Sequence, residues 1–198
     1  MKALFDTDLN KGNVQMRDFV LDKIGPVKRL NGLNALEVGI GNGRFGILLG
    51  RHFNKYFGID TDRDYLEAAK KTIPADATFI YEYGNAEWIP FNEKVDVILY
   101  PFVWHFIRDF GSALSEANRL LKKNGLIFIL EPSEKTKKWA DDRLNRDSDK
   151  FDEARLLKKI EAIDVAKKAL ESQDVFEIKE SGFVDCLGSS YYVLGRKN

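Results

Sequence analysis

Apolar residues follow two alternating rhythms along this chain. Short, nearly continuous apolar runs occur at Ala35–Val38 (ALEV), Tyr56–Ile59 (YFGI), Phe79–Tyr83, Val95–Leu99 (VDVIL) and Leu126–Leu130, and each has the length and make-up of a buried strand. Between them apolar positions recur at helical spacing. Phe45 to Leu49 is one such stretch. Tyr65, Leu66 and Ala69 make the buried stripe of another, opened by a capping box of Thr61 and Asp64. Leu114, Ala117, Leu120 and Leu121 mark a third between Ser112 and Lys123, closed by Asn124-Gly125. Regular alternation of strand and helix predicts a parallel sheet with crossover helices.

The pattern changes after Pro132. Ser133 to Asp149 is dense in charges of both signs, the mark of a solvated surface. Leu156, Ile160, Ile163, Ala166 and Leu170 then predict one amphipathic helix. Val175–Ile178 and Tyr191–Leu194 read as two closing strands. Near the front, Val14–Ile24 predicts a helix with Met16, Phe19, Val20 and Ile24 on one face. No linker divides the chain, so residues 1–198 are expected to form one domain. Within it, 1–30 is a helical cap and 133–173 a helical insertion.

Composition narrows the class. A chain of 198 residues, 44% hydrophobic and 12% aromatic, has the material for one core, which excludes disorder as its main state. Its 31 basic residues balance 31 acidic ones, so no global field draws in a polyanion or an anionic membrane. Cys186 stands alone, which excludes an internal disulfide and a cysteine-rich zinc site. Asp6 and Asp8 interrupt the front of the chain, and no run approaches about 18 apolar residues. A soluble, cytoplasmic protein is expected.

The richest chemical signal is the run Glu37-Val38-Gly39-Ile40-Gly41-Asn42-Gly43-Arg44-Phe45-Gly46. Glycines between a strand and a helix let the backbone approach a ligand closely. Gly41, Gly43 and Gly46 fit the dinucleotide pattern G-x-G-x-x-G, with Asp60 at the distance of a ribose-binding acid. Gly39, Gly41 and Gly43 fit a second pattern, acid-x-G-x-G-x-G, led by Glu37. A carboxylate there repels a pyrophosphate and attracts an ammonium or sulfonium. Length points the same way, because a nicotinamide enzyme normally adds a separate substrate domain.

With these features the chain resembles the class I S-adenosylmethionine-dependent methyltransferases of the small single-domain kind, from about Leu33 to the C-terminus. The resemblance implies an α/β fold: a doubly wound, mostly parallel seven-stranded sheet, helices on both faces and an antiparallel last strand. It implies S-adenosylmethionine as cofactor, S-adenosylhomocysteine as product, and no metal. Glu37, Gly39, Gly41 and Gly43 match the family's first motif, whose turn packs against the methionine part of the cofactor. Asp60 matches the acid that holds both ribose hydroxyls, and Thr61 sits where the family places a residue against adenine. In Gly84-Asn85-Ala86-Glu87-Trp88-Ile89-Pro90-Phe91, Asn85 would bond the adenine amino group and the Ala86 amide a ring nitrogen. The family more often has Asp at the first of these positions, and an Asn carbonyl accepts the same bond. Tyr100 is a further expected cofactor contact. Trp104-His105-Phe106 and the later Glu116, Arg119, Leu120, Leu121, Asn124 and Gly125 follow the family's spacing.

The acceptor is less legible. His105 lies just past the fourth strand, where it either takes a proton from the acceptor or only shapes its pocket. Methyl transfer is an in-line displacement at an activated sulfonium, so positioning and desolvation can suffice. Trp104, Glu131, Trp139 and Arg143 are candidate acceptor contacts. The insertion begins at the ligand edge of the sheet and is a candidate lid, and the front helix with Phe5, Met16 and Phe19 is a candidate wall opposite. Family members that methylate base amines carry Asn or Asp, two prolines and an aromatic after strand four. Tyr100-Pro101-Phe102 departs from that. A small-molecule acceptor with an N, O or C nucleophile is therefore expected, with nucleic acid and membrane disfavoured and the protein a monomer or homodimer. An RNA or protein methyltransferase, and a non-catalytic module binding S-adenosylmethionine or NAD, are the alternatives.

Overall fold

The computed structural model of the chain describes residues 11–25, 30–73, 76, 78–133, 163–185 and 189–198. In chain order these form α1 (Lys11–Ile24), β1 (Asn34–Val38), α2 (Arg44–Leu49), β2 (Lys55–Asp60), α3 (Arg63–Thr72), β3 (Phe79–Tyr83) and β4 (Val95–Pro101). A 3-10 turn (Trp104–Phe106), α4 (Phe110–Leu120), β5 (Leu121–Pro132), α5 (Ile163–Glu171), β6 (Phe176–Asp185) and β7 (Ser189–Lys197) complete them. The strands pair in the order β3-β2-β1-β4-β5-β7-β6. β1 to β5 run parallel, and β7 lies antiparallel between β5 and β6. This is the doubly wound, mostly parallel seven-stranded sheet expected, with its last strand reversed.

Both faces are covered, which is why β1 and β4 are apolar nearly throughout. On one face Met16, Val20 and Ile24 of α1 pack with Phe45 and Leu49 of α2, Leu66 and Ala69 of α3, and Phe128 and Tyr192 of the sheet. On the other, Leu114, Ala117 and Leu120 of α4 and Ala166 and Leu170 of α5 pack with Ile98, Tyr100, Ile127 and Val193. α1 is tied down further: Lys23 pairs with Glu180 at 2.6 Å, and Phe19 meets Tyr192 edge-on at 5.0 Å between ring centroids.

Three expectations change. Asp62, not Thr61, caps α3, its side chain accepting from the amides of Asp64 and Tyr65. Thr61 precedes the cap, and Tyr65 is 53% exposed. α4 stops at Leu120 rather than Lys123, because Leu121 turns extended to pair with Val95 in the core. Asn124, expected at the helix end, instead sits inside the irregular start of β5 with φ 62°. Met16 and Phe19, expected as a wall of the site, belong to the core face under α1. Of the 133–173 insertion, residues 134–162 lie outside the described residues. Its described helix α5 packs on α4, β6 and β7 as a cover for the sheet, and none of its residues lines the cleft described next.

Candidate active site

The order of the sheet reverses between β1 and β4, and crevices form at the carboxyl ends of strands on either side of such a reversal. A cleft of about 790 Å³ opens there, within the size range of small-molecule sites. It is walled by the turn after β1 (Gly39, Gly41, Asn42), the end of β2 and start of α3 (Asp60, Thr61, Tyr65), the segment after β3 (Asn85, Ala86, Glu87), and the segment after β4 (Phe102 to Arg108, save Trp104 and His105).

Gly39, Gly41 and Gly43 all have positive φ, at 73°, 53° and 87°. At Gly39 the requirement is double. A Cβ there would lie 2.6 Å from Cγ2 of Val103, so the bare backbone is what lets the turn meet the opposite wall. Asp60 anchors the turn: its Oδ2 accepts from the Gly41 amide at 2.8 Å and its Oδ1 from the Asp62 amide at 2.9 Å. Each oxygen keeps a lone pair for a ligand donor.

Across the cleft, Asn85 Oδ1 accepts from the Glu87 amide at 2.9 Å, and Asn85 and Trp88 exchange both backbone hydrogen bonds. Among the described residues no protein group accepts from the nearly buried Ala86 amide. Glu87 Oε1 takes the amides of Arg108 and Asp109, both at 3.0 Å, latching the segment after β3 to that after β4. Below, Glu116 accepts from the Ile89 amide at 2.8 Å, and Arg119 donates to the Ile89 carbonyl at 2.8 Å.

Glu37 stands behind the turn rather than in the cleft. It is 1% exposed, accepts the Tyr56 hydroxyl at 2.8 Å, and is absent from the cleft walls. Burial pushes its carboxyl up to about 8, with the Tyr56 hydrogen bond opposing and the nearby Asp60 charge reinforcing. From its place in the sequence this residue is expected to be a standing negative charge facing the ligand. The structure makes it a buried acid on the far side of the glycine turn, neutral through most of the range below its raised pKa.

Two more expectations are corrected. Tyr100, expected at the cofactor, and Trp104, expected at the acceptor, are both fully buried. Tyr100 meets Trp104 edge-on, and Trp104 stacks on Phe110 at 4.8 Å and 4°. Side chains alternate across a strand, so Tyr100 on β4 is turned into the apolar face under α4. Glu131, at the end of β5, is 1% exposed and does not line the cleft; it accepts the Trp104 amide at 2.7 Å and lies 2.5 Å from His105 Nδ1. Trp139 and Arg143, with Phe5 and Cys186, lie outside the described residues. Val103, Glu87 and Arg108 also line the cleft, and no local pattern in the sequence singles them out. Phe102, with φ 57°, was missed as a bend: this uncommon value for an aromatic residue turns the chain out of β4 and presents Val103 to Gly39. Among the described residues no group of three or more His, Cys, Asp or Glu could hold a metal, and no helix is long and apolar enough to cross a membrane.

The seven-stranded doubly wound sheet, with β7 reversed, thus brings the glycine turn and the acid ending β2 to one cleft. Residues 36–129 match the family model described as "Methyltransferase domain". Over that stretch, just under half of the chain, the sequence is similar to that family. It is 30% identical over 103 residues to the ubiquinone biosynthesis O-methyltransferase of Pelagibacter ubique, covering 52% of this chain and 43% of that one. It is 30% identical over 109 residues to the demethylmenaquinone methyltransferase of Staphylococcus aureus, covering 53% and 45%. The chain thus spans less than half the length of these relatives. Among solved structures, a SAM-dependent methyltransferase from Aquifex aeolicus superposes with a TM-score of 0.73 at 17% identity, covering 96% of this chain and 94% of that one. The N-methyltransferase NodS from Bradyrhizobium japonicum, in complex with S-adenosylhomocysteine, gives 0.71 at 14% identity, covering 98% and 91%. These structural likenesses establish the fold.

Proposed function

We propose that this chain transfers a methyl group from S-adenosylmethionine to a small-molecule acceptor. The observation that carries the reading is Asp60 at the end of β2, sharing one cleft with the Gly39–Gly43 turn and the Ala86 amide. Asp60 would take the ribose hydroxyls, the Ala86 amide a ring nitrogen of adenine, and Thr61 a place beside the base. The open glycine turn would admit the methionine part. When bound, the cosubstrate supplies a methyl group already activated by its sulfonium. The chain's own work is then to seat the acceptor in line and to exclude water.

Phe102, Val103, Phe106 and Ile107 give that acceptor an apolar wall. Relatives named for ubiquinone biosynthesis and for demethylmenaquinone support a quinone-type ring as the acceptor. Zero net charge argues against a polyanionic RNA acceptor. Against a nicotinamide module stands β7, whose antiparallel insertion between β5 and β6 departs from the dinucleotide-binding strand order.

Calorimetric titration tests the reading first. Micromolar binding of S-adenosylhomocysteine with none of NAD is the expected result, and the reverse would overturn it. A screen for S-adenosylhomocysteine release then separates small acceptors, offered as hydroquinones, phenols and amines, from RNA and protein extracts.

A further inference from the structure

We propose that Glu87, rather than Asn85, reads the exocyclic amino group of the cosubstrate's adenine, and so selects a 6-aminopurine over a 6-oxopurine. The inference rests on the methyl-transfer reading and deepens it at the base end of the same cleft.

The tip of the segment after β3 is a closed four-residue turn. Asn85 and Trp88 exchange backbone hydrogen bonds at 3.1 and 3.2 Å, which leaves Ala86 and Glu87 as its central residues, and both line the cleft. Asn85 is the residue that the sequence points to for the amino group, but its side chain is committed to this turn. Its Oδ1 accepts from the Glu87 amide at 2.9 Å. Nδ2, at the other end of the carboxamide, has no partner among the described residues and is not one of the enclosed unpaired polar atoms. Nδ2 is a donor, and an amino group presented to it meets donor with donor.

Glu87 has the opposite character. Its Oε1 takes the amides of Arg108 and Asp109, both at 3.0 Å, which fixes the carboxylate where two walls of the cleft join. Its Oε2 has no hydrogen-bond partner among the described residues and is not enclosed. A carboxylate oxygen only accepts. Of the other carboxylates that line the cleft, Asp60 holds the glycine turn and Asp62 caps α3. Glu87 is the one that adjoins the Ala86 amide, for which no protein group accepts among the described residues.

The two groups together complement one edge of adenine. The 6-amino group donates and the neighbouring N1 accepts. Glu87 Oε2 offers the acceptor, and the Ala86 amide, one residue earlier, offers the donor. In a 6-oxopurine both roles reverse: the 6-oxygen accepts and N1 carries a proton. Such a base would set oxygen against carboxylate and N–H against N–H, and polar groups left unpaired in a site cost more than a contact merely missing. The acid absent from position 85 is thus replaced by one two residues further on.

Glu87→Gln tests the assignment without breaking the latch. The Gln carbonyl can keep the amides of Arg108 and Asp109 while its NH₂ takes the place of Oε2, which turns the acceptor into a donor. Isothermal titration of the full chain with S-adenosylhomocysteine and with S-inosylhomocysteine, its 6-oxo counterpart, reads the ratio of the two affinities. A purely structural loss weakens both ligands together and leaves the ratio alone. The wild type should prefer the adenosyl ligand by at least about tenfold. In Glu87→Gln that ratio should fall by at least about tenfold, and in Asn85→Ala it should stay within about threefold of the wild type. S-adenosylhomocysteine labelled with nitrogen-15 at the 6-amino group gives a second reading, with amino protons shifted downfield on binding to the wild type and to Asn85→Ala alike. An unchanged ratio in Glu87→Gln, a collapsed ratio in Asn85→Ala, or amino protons that lose their shift in Asn85→Ala would each overturn the inference. So would a wild type that binds both ligands equally. A wild type that binds neither ligand would instead overturn the methyl-transfer reading itself. The labelled ligand on the wild type and Asn85→Ala decides the matter even if Glu87→Gln does not fold.

Discussion

The Tyr56 hydroxyl donates a 2.8 Å hydrogen bond to Glu37 beneath the glycine turn, joining neighbouring strands through a carboxyl group that no solvent reaches. Burial raises that carboxyl from its ordinary 4.5 to about 8, so the folded state holds a proton that the unfolded chain releases. Its contribution to stability is therefore fully present below pH 4.5 and is lost as pH rises through about 8. Within that window the slope approaches roughly 1.4 kcal/mol per pH unit for one proton. Urea unfolding at pH 5, 6, 7 and 8 should show stability falling with pH in the wild type and a flatter profile in Glu37→Gln, which retains an acceptor for Tyr56. An unchanged profile would place the titration elsewhere.

Asp60 serves the fold and the proposed ligand at once. Asp60→Ala should weaken S-adenosylhomocysteine binding at least tenfold, since a hydrogen bond to a charged group is worth ~1.5 to 3 kcal/mol. The same change frees the amides of Gly41 and Asp62, so protection of the Gly41 amide from hydrogen exchange should fall even without ligand. Isothermal titration and exchange on one sample separate the two roles. Unchanged affinity would remove Asp60 from the site.

The contact between Gly39 and Val103 predicts a partial rescue. Gly39→Ala places a Cβ 2.6 Å from Val103 Cγ2 at φ 73°, and should cost ~1 to 3 kcal/mol of stability through overlap and backbone strain. Adding Val103→Ala removes the overlap but not the positive φ. The double variant should therefore recover part of the loss and not all of it, measured by chemical denaturation. Additive losses would mean that the two residues do not meet.

Arg119 supports the cleft from below without touching it. It donates to the carbonyls of Ile89 and Phe91, and with Glu116 fixes the end of the segment that carries Asn85 and Ala86. Arg119→Ala should cost roughly 1 to 2 kcal/mol, at the low end because its side chain is 39% exposed. Its effect on S-adenosylhomocysteine affinity should be smaller than that of Asp60→Ala. Equal effects would put Arg119 in the site.

Local signals in the sequence located the strands and most helices well. β1, β2, β3 and β4 stand within two residues of their apolar runs, because a strand covered on both faces must be apolar almost throughout. The end of α4 was misplaced for a nonlocal reason. Leu121 continues the helical spacing in sequence, but pairing with Val95 draws it into the sheet. The cap of α3 was misplaced by one residue, since Thr61 and Asp62 are both competent caps and the entry angle from β2 selects between them.

For the site the division is sharper. Residue order alone determined the glycine turn, the acid ending β2 and the strand-helix alternation, since each is a short-range requirement of backbone geometry. It could not tell which side of a strand a residue faces at the strand's end. The tertiary structure decided that Glu37 lies behind the turn, that Tyr100 and Trp104 are core, and that Gly39 needs to be bare because of Val103. It also decided that Glu131, 26 residues from His105 in sequence, holds its imidazole. Parallel pairing of β4 with β5 brings the ends of these strands side by side, and no local pattern encodes which side chains then meet.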